Sequence, residues 1–105
     1  MQFKKGAKTG VSLQPEIINT FPIIDKLCAE YNVEAIITSG VEGRHKSGSK
    51  HYDGMAIDLR SRHFEGGSMG FECASFCDAL RNILGPDYDV VQEDNHIHLE
   101  YDPKG

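Results

Sequence analysis

The 105-residue chain has no apolar run of about 18 residues, which excludes a membrane-spanning helix. It has no basic excess. Lysine and arginine total 11 against 16 aspartates and glutamates, for a formal net charge of −5, whereas binding to a nucleic-acid backbone requires a basic face. No apolar stretch follows Lys4, Lys5 and Lys8, so the start does not read as a secretory signal, and the cytoplasm is the expected location. The three cysteines include no C-x-x-C pair of the kind a thiolate metal site uses. Cys73 and Cys77 are four apart on one helical face, which does not suit disulfide geometry, and Cys28 sits in an apolar stripe. All three therefore read as reduced, buried small hydrophobes. Internal repeats, low-complexity tracts and linkers are also missing. Residues 1–105 are expected to form a single domain, with 1–12 a polar, extended lead-in.

What is present is an ordinary soluble composition, 39% hydrophobic and 26% charged. From Pro15, apolar residues recur at steps of three and four (Ile17, Ile18, Phe21, Ile24, Leu27, Cys28, Tyr31), predicting a helix with one buried stripe. Pro15 suits a first turn; Pro22 does not suit an interior and predicts a kink or break, and Asn32 a stop. "EAIITSG" (34–40) reads as a short buried strand, and the Gly-rich 41–54 as a loop. "MAIDLRS" (55–61) alternates, with Ala56, Asp58 and Arg60 on one face. "FECASFCDALRNIL" (71–84) reads as a helix whose stripe runs through Phe71, Ala74, Cys77 or Phe76, Leu80 and Leu84, stopped by Gly85-Pro86. "YDVVQ" (88–92) and "HIHLEY" (96–101) read as an antiparallel hairpin turning at 93–95. This order predicts an α+β fold, a small and mainly antiparallel sheet with helices packed on one side.

The last strand concentrates the chemistry. Ile97, Leu99 and Tyr101 alternate with His96, His98 and Glu100, so two imidazoles share one face. Asp58 takes the corresponding side of its own strand, and His51 precedes it in the loop. Two histidines and an aspartate can hold zinc and leave its fourth position open, the arrangement of a catalytic ion. The plain alternative is that His51 and His96 are solvated and Asp58 caps a turn. His45 and His63 read as surface histidines, and Arg60 as a partner in a surface ion pair.

The run "SKHYDGMAID" (49–58) has the form S-x-H-x-x-G-x-A-x-D, and "HIH" (96–98) follows about forty residues later. In both, the chain resembles the zinc D-Ala-D-Ala carboxypeptidase/dipeptidase family, which shares the hedgehog/DD-peptidase fold. The resemblance implies that His51, Asp58 and His98 hold zinc. It makes Glu93 the first choice for general base and His96 the second, the latter also able to steady an oxyanion or orient from behind. Ser49 matches the motif serine, which would bond substrate or fix the loop. Gly54 and Ala56 stand where bulk would crowd the metal loop.

Two departures stand out. Many members carry Ser-Gly-Tyr-Arg after the first strand, the arginine holding the substrate carboxylate; here the run is "SGVEGR", which moves that arginine to Arg44. Other members place an acid three residues before the zinc histidine, where this chain has Asn95. The resemblance implies a zinc metallopeptidase acting on bacterial cell-wall stem peptides or D-Ala-containing peptides. It is expected to be a monomer with no nucleic-acid or membrane partner. The small size fits a phage-type lytic protein reaching the wall by host lysis or in a phage particle. Two alternatives stay open: a non-catalytic zinc-binding interaction module of the same fold, and a cytosolic dipeptidase.

Overall fold

The computed structural model describes residues 1–4, 13–39 and 53–103. Along the chain these form β1 (Gln2–Phe3), α1 (Pro15–Ile18), α2 (Phe21–Glu30), β2 (Ile36–Ser39), β3 (Ala56–Leu59), α3 (Phe71–Leu84), β4 (Tyr88–Gln92) and β5 (Ile97–Tyr101). The strands make one five-stranded sheet in the order β1-β2-β3-β5-β4. The α+β class is as expected, but the sheet is mixed rather than mainly antiparallel. β1, expected as part of an extended lead-in, adds to β2 in parallel, whereas β2–β3, β3–β5 and β4–β5 are antiparallel. Two backbone bonds fix this edge, Gln2 N–H to the Ala35 carbonyl and Lys4 N–H to the Ile37 carbonyl, each 2.8 Å.

The long apolar stripe after Pro15 is divided between two helices. A proline inside a continuous helix would lack a donor and clash with the carbonyl one turn back. The chain instead breaks at Asn19 and Thr20 and restarts so that Pro22 falls in the first turn of α2, where no donor is needed. Buried Thr20 satisfies itself there, donating its hydroxyl to the Ile17 carbonyl at 2.6 Å. Past α2, Asn32 takes the left-handed conformation (φ 57°) that ends the run.

Helix α3 spans the expected residues, but its buried stripe has a different phase. Cys73, Phe76, Cys77 and Leu80 are fully buried, while Phe71, expected in the stripe, is 94% exposed. Phe71 is the first helical residue, so its side chain leans back beyond the helix start instead of onto the sheet. The loop before it is drawn in tightly. A Cβ on Gly70 would lie 2.8 Å from the Gly66 backbone, so only glycine fits. At the far end, Arg81 donates from Nε to the Val90 carbonyl at 2.8 Å and ties α3 to β4.

One hydrophobic cluster joins the inner sides of the helices (Ile17, Ile24, Phe76, Leu80) to one face of the sheet (Ile37, Ile57, Leu59, Ile97, Leu99). Burying each of these large side chains contributes about 1.5–3 kcal/mol. Cys28, Cys73 and Cys77 are free and buried within it, as expected. Burial pushes the Cys28 and Cys77 thiols up to about 12. His63, expected on the surface, is half-buried, with Nε2 2.7 Å from the Glu34 carbonyl oxygen. Among the described residues, no helix is long and apolar enough to cross a membrane.

Candidate metal centre

With one face of β3 and β5 committed to the core, strand alternation sends the remaining residues to the other face. Ile57 and Leu59 on β3, and Ile97 and Leu99 on β5, are at most 2% exposed. Asp58, His98 and Glu100 therefore share the opposite face. The register pairs Asp58 directly with His98 and Ala56 with Glu100. Fully buried Ala56 keeps the backbone close beneath Glu100 without adding bulk to the polar face.

Asp58 is the focus of two imidazoles. Its Oδ1 lies 3.1 Å from His98 Nδ1 and 3.7 Å from His96 Nε2. The other nitrogen of each ring is also engaged: His98 Nε2 is 3.0 Å from Glu100 Oε1, and His96 Nδ1 is 2.6 Å from Asn95 Oδ1. The side chains of Asp58, His98 and Glu100 are largely buried, at 15%, 21% and 21% exposure. The hydrogen bond to Asp58, reinforced by Glu100 and outweighing burial, holds the His98 ring up to about 9 from its usual 6.5. With its proton on, His98 donates to both carboxylates. His96 donates through Nδ1 to Asn95 Oδ1, which turns its Nε2 toward Asp58.

Two ligand atoms bound tetrahedrally to one zinc ion at about 2.0–2.1 Å stand about 3.3 Å apart. The Asp58–His98 and Asp58–His96 separations of 3.1 and 3.7 Å bracket that value, and imidazole with carboxylate is a zinc-type donor set. Two of the three expected ligands, Asp58 and His98, are thus brought together. The third, His51, lies outside the described residues, as do Arg44, Ser49 and His45. Glu93 has an exposed side chain at the hairpin turn, where its N–H donates to the His96 carbonyl at 2.9 Å.

Sequence reasoning missed a neighbouring group. Asp89, Glu100 and Asp102 place one carboxylate oxygen each within 4.8 Å of one another, the one group of three among the described residues that could hold a metal ion. Asp89 faces Glu100 across β4 and β5. Asp102 extends the 96, 98, 100 series by one more alternate residue, so continuing the parity past the strand end would have found it. An all-carboxylate set suits a hard cation better than zinc.

Beside Asp58 and His96 opens a groove of about 280 Å³, lined also by Thr38, Asn95 and the basic residues Lys4, Arg60 and Arg62. Arg60, expected in a surface ion pair, forms none among the described residues. It lies half-buried in the groove wall, its N–H bonded to the Ile36 carbonyl at 2.9 Å.

No family model, curated protein or solved structure matches the chain.

Proposed function

We propose that the chain is a zinc-dependent peptidase of the hedgehog/DD-peptidase fold that hydrolyses peptide bonds in bacterial cell-wall stem peptides, in the manner of a D-Ala-D-Ala carboxypeptidase. The observation that carries this reading is the direct opposition of Asp58 and His98, Oδ1 to Nδ1 at 3.1 Å. Those are the positions that the S-x-H-x-x-G-x-A-x-D and H-x-H patterns reserve for metal ligands.

His51, Asp58 and His98 would hold the ion. When bound, zinc supplies Lewis acidity toward a carbonyl and lowers the pKa of water toward about 7. The chain's own residues do the rest. Glu100 accepts from His98 Nε2, which fixes the ring and leaves Nδ1 as the ligating atom. His96, held through Nδ1 by Asn95, presents Nε2 beside Asp58 at the groove wall. It is the group best placed to take a proton from the attacking water and return it to the leaving amine. Position favours His96 over Glu93, whose exposed side chain does not line the groove.

The test is digestion of purified peptidoglycan by the zinc-loaded protein, with products read by mass and by release of amino groups. The proposal expects new amino groups that Asp58→Ala and His98→Ala abolish. One equivalent of bound zinc with no cleavage of any stem peptide identifies an interaction module instead. Free D-Ala from the dipeptide with no action on whole wall identifies a dipeptidase.

A further inference from the structure

Asn95 stands beside Asp58 and His96 in the groove wall, and it is held there twice. The hairpin fixes its backbone. β4 and β5 pair as far as Gln92 opposite Ile97, and the Glu93 N–H to His96 carbonyl bond at 2.9 Å closes the turn that contains Asp94 and Asn95. His96 fixes its side chain, with Nδ1 lying 2.6 Å from Asn95 Oδ1. A carboxamide has two unlike arms, an oxygen that accepts and a nitrogen whose hydrogens donate. With the oxygen receiving the His96 Nδ1–H, the arm left for the groove is the Nδ2 amide. An aspartate at the same position could hold His96 in the same way, but it would bring only an acceptor to the groove.

We infer that Asn95 binds substrate as well as positioning His96: its Nδ2 donates to a backbone carbonyl of the bound peptide while its Oδ1 holds the imidazole. The inference rests on the peptidase reading and deepens it, by naming a group that seats the peptide backbone. A peptide carbonyl suits this donor because it is a neutral acceptor repeated at every residue of the chain. The placement is also suitable. His96 Nε2 lies 3.7 Å from Asp58 Oδ1, so a carbonyl held by Asn95 is one imidazole away from the Asp58–His98 pair. One side chain then sets both the substrate and the ring that exchanges protons with it, which fixes their relative position before reaction. Because turn and ring already hold the carboxamide, its donor need not reorganise when the peptide arrives.

The experiment uses the full zinc-loaded chain and the probe peptide diacetyl-L-Lys-D-Ala-D-Ala. Cleavage is measured for the parent, Asn95→Asp and Asn95→Ala. The Asn95 Nδ2 amide signals are followed by NMR in the cold as peptide is added, before turnover. Both variants lack the donor, so both should raise KM about 3- to 10-fold, the worth of one ordinary hydrogen bond. Only Asn95→Ala also lacks the oxygen, so only it should lower kcat as well, by about 10- to 100-fold, because the ring is no longer held. Asn95→Asp should keep kcat within a few fold of the parent, and peptide should shift the amide signals of the parent. A parent-like KM in Asn95→Ala, or amide signals that peptide leaves unmoved, overturns the donor while the peptidase reading stands. Equal kcat in the two variants overturns the positioning role. Shifted amide signals with no cleavage keep the donor and overturn the peptidase reading. No shift and no cleavage overturns both.

Discussion

Asp58 and His98 sit directly opposite each other on β3 and β5, with Oδ1 3.1 Å from Nδ1, and Glu100 holds the far nitrogen of the same ring at 3.0 Å. A carboxylate–imidazole–carboxylate chain on the polar face of a sheet is set by strand register alone. Any single-residue slip of β5 would carry both His98 and Glu100 into the core.

Zinc affinity should follow this chain. Asp58→Ala and His98→Ala each remove a proposed ligand and should lower affinity by at least about 100-fold, measured by competition with a chromophoric chelator. Glu100→Gln leaves the ligands in place and should lower it about 10- to 100-fold, the effect expected of a group that orients a ligand. Unchanged affinity in His98→Ala places the ion elsewhere.

The pH dependence of the metal-free protein has a definite sign. His98 is held up to about 9, against 6.5 for an ordinary ring, so folding favours its protonated form. That contribution is complete below pH 6.5, declines as pH rises, and is lost above 9; its upper bound is about 3 kcal/mol. Urea unfolding between pH 6 and 10 should show this decline, and His98→Gln should flatten it. Over the same window zinc should bind more tightly as pH rises, because the ion must displace the proton.

Proton transfer separates His96 from Glu93. With His96 as the transferring group, His96→Gln should lower kcat about 10²- to 10⁴-fold with little change in zinc content. Glu93→Gln, at an exposed turn position, should change kcat by only a few fold. The reverse result assigns the role to Glu93.

Two structural predictions test the frame around the site. Gly70→Ala forces a Cβ to within 2.8 Å of the Gly66 backbone, and chemical denaturation should show a loss of about 1–3 kcal/mol. The native cysteines should resist a thiol reagent at pH 8, because burial disfavours their thiolates and denies access. Unfolding should expose all three. Rapid labelling of the native protein would contradict the packed core.

Much of this frame is legible in the sequence because period and parity are strong signals. The span of α3, the break before Pro22, the β4–β5 hairpin and the shared face of His96, His98 and Glu100 all follow from spacing. What was illegible depends on partners distant in the chain. β1 is two residues long, too short for any period, and its place is decided by carbonyls at Ala35 and Ile37. The phase of α3 is misread because Phe71, the most hydrophobic-looking residue of its first turn, lies beyond the end of the stripe that Cys73 begins. At the site, parity placed Asp58 and His98 on the right faces, but only the β3–β5 register could make them direct partners. The basic groove is invisible in a chain of negative net charge, since Lys4, Arg60 and Arg62 meet only when β1 and β3 flank β2.

The most direct test is anomalous diffraction at the zinc edge from crystals of the zinc-loaded protein. The account predicts one strong peak within bonding distance of Asp58, His98 and His51. A peak at Asp89, Glu100 and Asp102 alone, or none near Asp58, would contradict it.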